Sequence, residues 1–212
     1  PELTPLAYLT RGKIFLQIDQ TEKAMKDFKV ILDQFDDTKY AMEANLWIGN
    51  YYHKVGLYQE AEQKLNEIEA RYPGLYIEYP ESILLNAKNY IYLKKYREAR
   101  EQLFKAVNIG GQQESIDLLL SRIGETYHNE ENDKEAEKYY RMVIDYYPGS
   151  EGAAISKLRL AEYFSDIAML EEVGKTSSDE TISEIAQLEK AYQLFENREY
   201  AETIKTIKEV AL

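Results

Sequence analysis

The sequence repeats itself at a nearly constant interval. Six segments superpose on a small residue, Gly12, Gly49, Ala87, Gly124, Ala161 and Ala191, at spacings of 37, 38, 37, 37 and 30 residues. Three residues after each anchor stands a large ring or aliphatic side chain: Phe15, Tyr52, Tyr90, Tyr127, Phe164 and Leu194. Twelve after it comes a second small residue in the first four copies, Ala24, Ala61, Ala99 and Ala136, with Val173 and Thr203 in the last two. Sixteen after it come Phe28, Leu65, Leu103, Tyr140 and Ile207, but Ser177 in the fifth copy. A period of this length means one supersecondary unit per repeat, each burying its apolar face on its neighbours.

Within each unit the anchor and the ring three positions later share one face of a helix. The anchor is small because another helix crosses there. A polar link follows, then a second amphipathic segment such as Glu60–Ala70 or Glu135–Tyr146. Tyr58, Tyr96 and Tyr200 fall nine after their anchors, where the second helix is expected to begin. Pro73 and Pro148 close their units, since proline cannot continue a helix and biases the preceding residue away from helical dihedrals. In the fifth copy Val173-Gly174-Lys175-Thr176-Ser177-Ser178 interrupts the second helix, which predicts a loop over Gly174–Asp179. Thr181-Ile-Ser-Glu184 then has the order of a capping box and predicts a new helix start. The last helix bears Ile204, Ile207 and Val210, an apolar flank that calls for a further cap.

With 212 residues, 44% of them hydrophobic, the chain can build a substantial core, which a repeat array lays out as a strip in one elongated domain. It contains no cysteine, which excludes disulfides, thiolate metal sites and cysteine nucleophiles. No apolar run approaches the roughly 18 residues of a membrane span, and no signal peptide is visible. The start at Pro1 without an initiator Met, and the stop at Leu212 inside a helical pattern, mark an expected fragment of a longer protein. The net charge of -12 is uneven: residues 1–106 carry 15 Lys/Arg against 16 Asp/Glu, and residues 107–212 carry 11 against 22. An acidic second half repels phosphate backbones and anionic lipid surfaces, so nucleic acid is not an expected partner.

Gly49, Tyr52, Gly56, Tyr58, Ala61, Leu65 and Pro73 together resemble the tetratricopeptide repeat, and the fourth copy matches nearly as well. The first copy is looser, with Asp36 at the closing-proline position, and the third has Ala87 and Gly111. The resemblance implies an all-α fold, a right-handed α-α superhelix (TPR solenoid) of about five to six helix pairs. Its units lie near residues 5–38, 42–75, 80–113, 117–150, a degenerate 154–180, and 184–212. In that family first helices line a concave groove, whose offsets are one, four and five after each anchor. The resulting wall includes Lys13, Asn50, His53, Lys54, Lys88, Tyr92, Glu125, His128 and Glu162, with Arg122 nearby. Lys13, Lys54 and Lys88 make its early part basic, and Glu125, Glu162, Asp166 and Glu196 its later part acidic. An extended peptide with an acidic and a basic end would be complementary.

Family members that clamp carboxylate tails use five polar residues across three repeats. Here Asn50 and Arg122 match, but Leu46, Leu85 and Leu118 stand at the other polar positions, so no such clamp is expected. His53 and His128 share one repeat offset but lie two repeats apart, too far to hold one metal. The 19 tyrosines mostly occupy packing positions or the unit ends, where Tyr72, Tyr76, Tyr79, Tyr146 and Tyr147 gather. Gly110-Gly111-Gln112 is a short loop without the Lys-Ser/Thr pair of a phosphate loop.

No nucleophile and base, and no carboxylate pair in a closed pocket, is evident; Glu130-Glu131 and Glu171-Glu172 read as solvated helix ends. The expectation is therefore a scaffold rather than an enzyme, with no cofactor and no metal, binding a protein or peptide partner in its groove. The segments Ala70-Arg-Tyr-Pro73 and Tyr146-Tyr-Pro148-Gly-Ser-Glu-Gly-Ala-Ala154 resemble those of bacterial cell-envelope repeat proteins, including outer-membrane assembly lipoproteins and the periplasmic partner of the Tol–Pal system. That resemblance implies a periplasmic or outer-membrane-associated setting, the other possibility being cytoplasmic. The alternative function is a regulatory or substrate-recruiting domain of a larger enzyme.

Overall fold

The computed structural model describes residues 3–111 and 114–210, without the side chains of Leu3, Leu75 and Tyr76. Gln112 of the diglycine loop and the Tyr76 ring thus lie outside the described residues, as do Pro1 and Leu212. Every regular element among the described residues is a helix. The chain divides into two compact units, Pro1–Lys105 and Ala106–Leu212.

The first unit holds the antiparallel pairs α1 (Leu3–Gln17) with α2 (Thr21–Gln34) and α3 (Lys39–Lys54) with α4 (Tyr58–Arg71). A one-turn helix not foreseen in the sequence, α5 (Leu75–Glu78), precedes α6 (Glu81–Tyr92) and α7 (Tyr96–Asn108), whose last residues belong to the second unit. That unit contains α8 (Ile116–Asn129), α9 (Asp133–Tyr146), α10 (Glu151–Phe164), α11 (Ile167–Thr176), α12 (Glu180–Glu196) and α13 (Tyr200–Val210). Tyr58, Tyr96 and Tyr200 each open a second helix, as their spacing predicts, and α4 and α9 end two residues before Pro73 and Pro148.

Five of the within-pair turns are chemically the same turn. The residue eight after the anchor donates its N–H to the carbonyl three after it: Gln20 to Phe15, Leu57 to Tyr52, Lys95 to Tyr90, Asn132 to Tyr127 and Glu199 to Leu194, at 2.8–2.9 Å. Closing the helix this way needs one left-handed residue, seven after the anchor. In the second copy it is Gly56, with φ +82; in the others it is Asp19, Lys94, Glu131 and Arg198, with φ of 58–65. A side chain there costs about 1–2 kcal/mol, against the 0.5–1 kcal/mol that glycine loses by its freedom in the unfolded chain. Lys94→Gly is therefore expected to stabilise the protein by about 0.5 kcal/mol, read as a higher urea midpoint with an unchanged slope.

The anchors are small for a reason the structure makes specific. A Cβ on Gly12 would stand 2.5 Å from Phe28 Cε1, and one on Gly124 would stand 2.7 Å from Tyr140 Cε1. Where the residue sixteen after the anchor is leucine the helices leave more room: a Cβ on Gly49 would meet Leu65 at 3.4 Å, an ordinary contact. The third copy has Ala87 and Leu103 at the corresponding positions, both fully buried. Around these contacts the first unit packs Leu9, Phe28, Ile31, Ala44 and Ile48 into one cluster and Met42, Leu46, Leu65 and Ile68 into another. Each such large side chain contributes about 2 kcal/mol by leaving water.

The fifth copy departs from the sequence expectation in two ways. Gly174, Lys175 and Thr176 are helical, so the loop predicted over Gly174–Asp179 shrinks to the residues after α11. The reason is a three-residue deletion in the turn: α10 ends on left-handed Ser165, and Asp166, not a residue eight after the anchor, closes onto the Ala161 carbonyl at 2.9 Å. The second helix therefore starts three positions early, and Leu170 and Val173 fill the core with Leu158, Ala161, Ile182 and Ala186. The capping residue of α12 is Asp179, whose carboxylate accepts from the Ile182 N–H at 3.0 Å, and not Thr181, which is already in the first turn. A carboxylate two residues earlier captured the free donors first.

In the second unit, the start of α10 is tied to the start of α8. Asp117 Oδ2 accepts from the Gly152 N–H at 2.9 Å, while Ser150 caps α10 by accepting from Ala153 at 3.1 Å.

Candidate protein-binding surfaces

The residues predicted to line a groove fall into two sets, one on each unit. On the first unit Asn50, Lys54, Lys88 and Tyr92 are exposed, and neither Lys54 nor Lys88 forms an ion pair among the described residues. Lys13 is not a free charge: its ammonium lies 2.9 Å from Glu43 and over the Trp47 ring, and Glu43 also accepts from the Tyr79 hydroxyl at 3.0 Å. Burial and Glu43 together push the Tyr79 phenol up to about 12.

His53 joins two repeats. The fully buried Asn89 donates to the Tyr58 carbonyl at 2.8 Å, so its Oδ1 is the acceptor 3.0 Å from His53 Nδ1, and that nitrogen carries the proton. The imidazole meets Tyr58 and Tyr92 edge-on at 5.4 Å, and those two rings stack on each other at 4.5 Å. Asn89 thus holds an aromatic group whose outer ring, Tyr92, is 60% exposed.

On the second unit three of the four predicted acids, Glu125, Glu162 and Asp166, are already engaged. Arg159 donates to both Glu125, at 3.3 Å, and Glu162, at 2.9 Å, bridging the two groove carboxylates. Desolvation works against the Arg159 charge, but these carboxylates hold its pKa above the ordinary value. Arg122 pairs with Glu114 at 2.8 Å. His128 is exposed and donates through Nδ1 to Asp133 at 2.9 Å. Asp166 caps α11 by accepting from the Met169 N–H. The basic early part and acidic later part of the wall read from the sequence are therefore weakened by ion pairs, Lys13 with Glu43 and Arg159 with Glu125 between neighbouring repeats and Arg159 with Glu162 along one helix.

His128, Glu162 and Arg159 meet at a cleft of about 330 Å³ between α8, α9 and α10, whose floor includes Ala136, Tyr140 and Leu160 and whose rim includes Tyr163. Arg159, Tyr140 and Tyr163 were not among the sequence-derived site residues. Arg159 stands 37 residues after Arg122 at the same repeat position, and that coincidence is the signal that marks it. Among the described residues no group of three His, Asp or Glu side chains is placed to hold a metal ion. None of the described helices is long and apolar enough to cross a membrane.

Residues 119–150 match the tetratricopeptide-repeat family profile. No curated protein matches the sequence. The chain has the fold of a tetratricopeptide repeat protein from Parabacteroides merdae, with a TM-score of 0.74 and 14% identity over 98% of this chain and 79% of that one. It is also similar to MamA from AMB-1, with a TM-score of 0.58, 14% identity and coverage of 82% and 92%. The signal-transduction ATPase with a tetratricopeptide repeat sensor from Pyrococcus horikoshii gives 0.57 and 20% identity over 97% of this chain and 32% of that one. The segment 119–150 is thus a tetratricopeptide repeat, and the architecture is the all-α solenoid of tetratricopeptide-repeat proteins.

Proposed function

We propose that this chain is a non-catalytic scaffold that holds a segment of a partner protein against the faces of its first helices. The observation that carries this reading is the exposed aromatic side chains on those helices, Tyr92 on α6 in the first unit, and in the second Tyr163 and Phe164 on α10 with Tyr192 and Phe195 on α12. Aromatic residues in water are costly to keep and are the anchors that binding surfaces use. The exposed Asn50, Lys54 and Lys88 add polar contacts on the first unit, and His128 and the bridged Glu162 on the second. Because most charges here are paired internally, aromatic contact supplies the affinity and the remaining free charges set register.

The setting we propose is a bacterial envelope assembly, on the resemblance of the Pro148-Gly-Ser-Glu-Gly-Ala-Ala154 segment and the unit lengths of 37 and 38. A crosslinking pull-down from the native lysate tests the reading. Partners captured by the parent chain are expected to be lost with Asn50→Ala/Lys88→Ala/Tyr92→Ala on one unit or His128→Ala/Tyr163→Ala on the other, all of them changes at exposed positions. Capture that survives both variants, or no capture by the parent chain, would overturn it.

A further inference from the structure

We infer that the cleft between α8, α9 and α10 receives a basic side chain, lysine or arginine, of the partner segment. This rests on the scaffold reading and adds to it the chemistry of one residue of the ligand.

The first observation is an unpaired hydroxyl. Tyr140 is 97% buried and lines the cleft, and its oxygen has no hydrogen-bond partner among the described residues. Its ring is wedged against Gly124, so it cannot turn away to find one. A buried hydroxyl left unmade costs about 1–3 kcal/mol, which a ligand donor entering the cleft would recover. Burial first, and then the Glu125 charge, keep the phenol protonated, so its oxygen accepts without being an anion.

The second observation is charge. Asp133, Glu137 and Glu162 face the cleft and Glu125 lies behind Arg159; Arg159 bridges Glu125 and Glu162, and Arg141 pairs with Glu137 at 2.7 Å. Four carboxylates are thus set against two guanidinium groups and the His128 N–H that donates to Asp133 at 2.9 Å, within a unit of residues 106–212 that carries 11 Lys/Arg and 22 Asp/Glu. An anionic ligand would meet this field and an arginine already saturated by two carboxylates. An apolar one would strip water from carboxylates and leave the Tyr140 hydroxyl orphaned. A cation meets neither obstacle.

The third observation is the shape of the entrance. Tyr163, half exposed, stands at the rim, and Ala136 and Leu160 form an apolar lining. A long basic side chain has methylenes for that lining, a charged head for the carboxylates, and a cation for the face of the ring. The volume of about 330 Å³ accommodates such a side chain together with water.

The test uses the full chain, isotope-labelled, and four acetylated, amidated peptides of sequence Gly-Ala-Ser-X-Ser-Ala-Gly with X arginine, lysine, norleucine or glutamate. Amide shifts are followed on titration, and Tyr140→Phe, which removes only the hydroxyl, is the control variant. The arginine and lysine peptides are expected to move amides of residues 126–163 and to bind about tenfold more tightly than the norleucine and glutamate peptides, with Tyr140→Phe weakening them by about fivefold or more. Binding of norleucine or glutamate as strong as arginine, shifts confined elsewhere, no shift with any peptide, or a Tyr140→Phe chain that binds as the parent does would each overturn the inference. If the lysate partner is still captured and released by the surface variants while the basic peptides leave the cleft unmoved, this inference alone fails. If no partner is captured at all, the scaffold reading fails with it.

Discussion

Replacing Gly152 by alanine is expected to destabilise the protein by about 3 kcal/mol. The new Cβ would lie 2.6 Å from both the carbonyl carbon and the oxygen of Asp117, and 2.7 Å from its Oδ2. Those are backbone atoms in the first turn of α8 and cannot swing aside as the end of a side chain can. Relieving the overlap must separate the starts of α8 and α10 and break the 2.9 Å bond from the Gly152 N–H to the Asp117 carboxylate. Urea denaturation of the full chain, followed by circular dichroism, measures the loss. A midpoint within about 0.5 kcal/mol of the parent would show that the two helix starts are not in contact as described. The carboxylate adds a pH signature. Burial tends to raise the Asp117 pKa, but hydrogen bonds from Ser115, the Gly152 N–H and Ser150 prevail and hold it below the ordinary 3.8. A depressed folded value means stabilisation that is complete above the unfolded pKa and is lost as pH falls through the folded one. The stability gap between parent and Asp117→Asn is therefore expected to be full at neutral pH and to close only as pH falls below the ordinary carboxylate range, through the lowered folded value.

The repeat frame was legible because it rests on local, periodic requirements. Anchor, ring, small residue and second-helix start each obey a fixed offset, and Tyr58, Tyr96 and Tyr200 sit where α4, α7 and α13 begin. The left-handed turn position was legible only at Gly56. Asp19, Lys94, Glu131 and Arg198 adopt the same geometry with side chains that carry no glycine signal, since packing of the pair outweighs about 1 kcal/mol of local strain. The fifth repeat was misread for a related reason. Holding the offsets fixed from Ala161 put Ser177 where a large residue belongs, whereas the shortened turn moves the buried positions to Leu170 and Val173. The segment from Pro148 to Ala154 read as a family signature, and its mechanical role appears only when Asp117, 35 residues earlier, is brought beside Gly152. Charges were the least legible part of the surface. Whether Lys13 or Glu125 is available depends on Glu43 and Arg159 in neighbouring helices, which helical offsets within one repeat do not reveal.

The second large effect separates two glycines that the sequence pattern treats alike. Gly124→Ala and Gly49→Ala each place one methyl group at a repeat anchor in the interior of a helix, where alanine is intrinsically better than glycine by about 1 kcal/mol. At Gly49 the methyl meets Leu65 at 3.4 Å, so the propensity gain survives, and stability is expected to stay level or to rise by up to about 1 kcal/mol. At Gly124 it would stand 2.7 Å from Cε1 and 2.9 Å from Cδ1 of Tyr140, a ring 3% exposed with no space to retreat into. Overpacking of this kind costs about 1–3 kcal/mol, so after the propensity gain a net loss of about 1 kcal/mol is expected. The cause is testable without touching the helix. In a Tyr140→Leu background, where the fourth copy acquires the pairing of the second, Gly124→Ala should instead gain up to about 1 kcal/mol, giving a coupling energy of about 2 kcal/mol in a double-mutant cycle. Equal costs of Gly124→Ala in both backgrounds would mean that the anchor is small for some reason other than the ring crossing it.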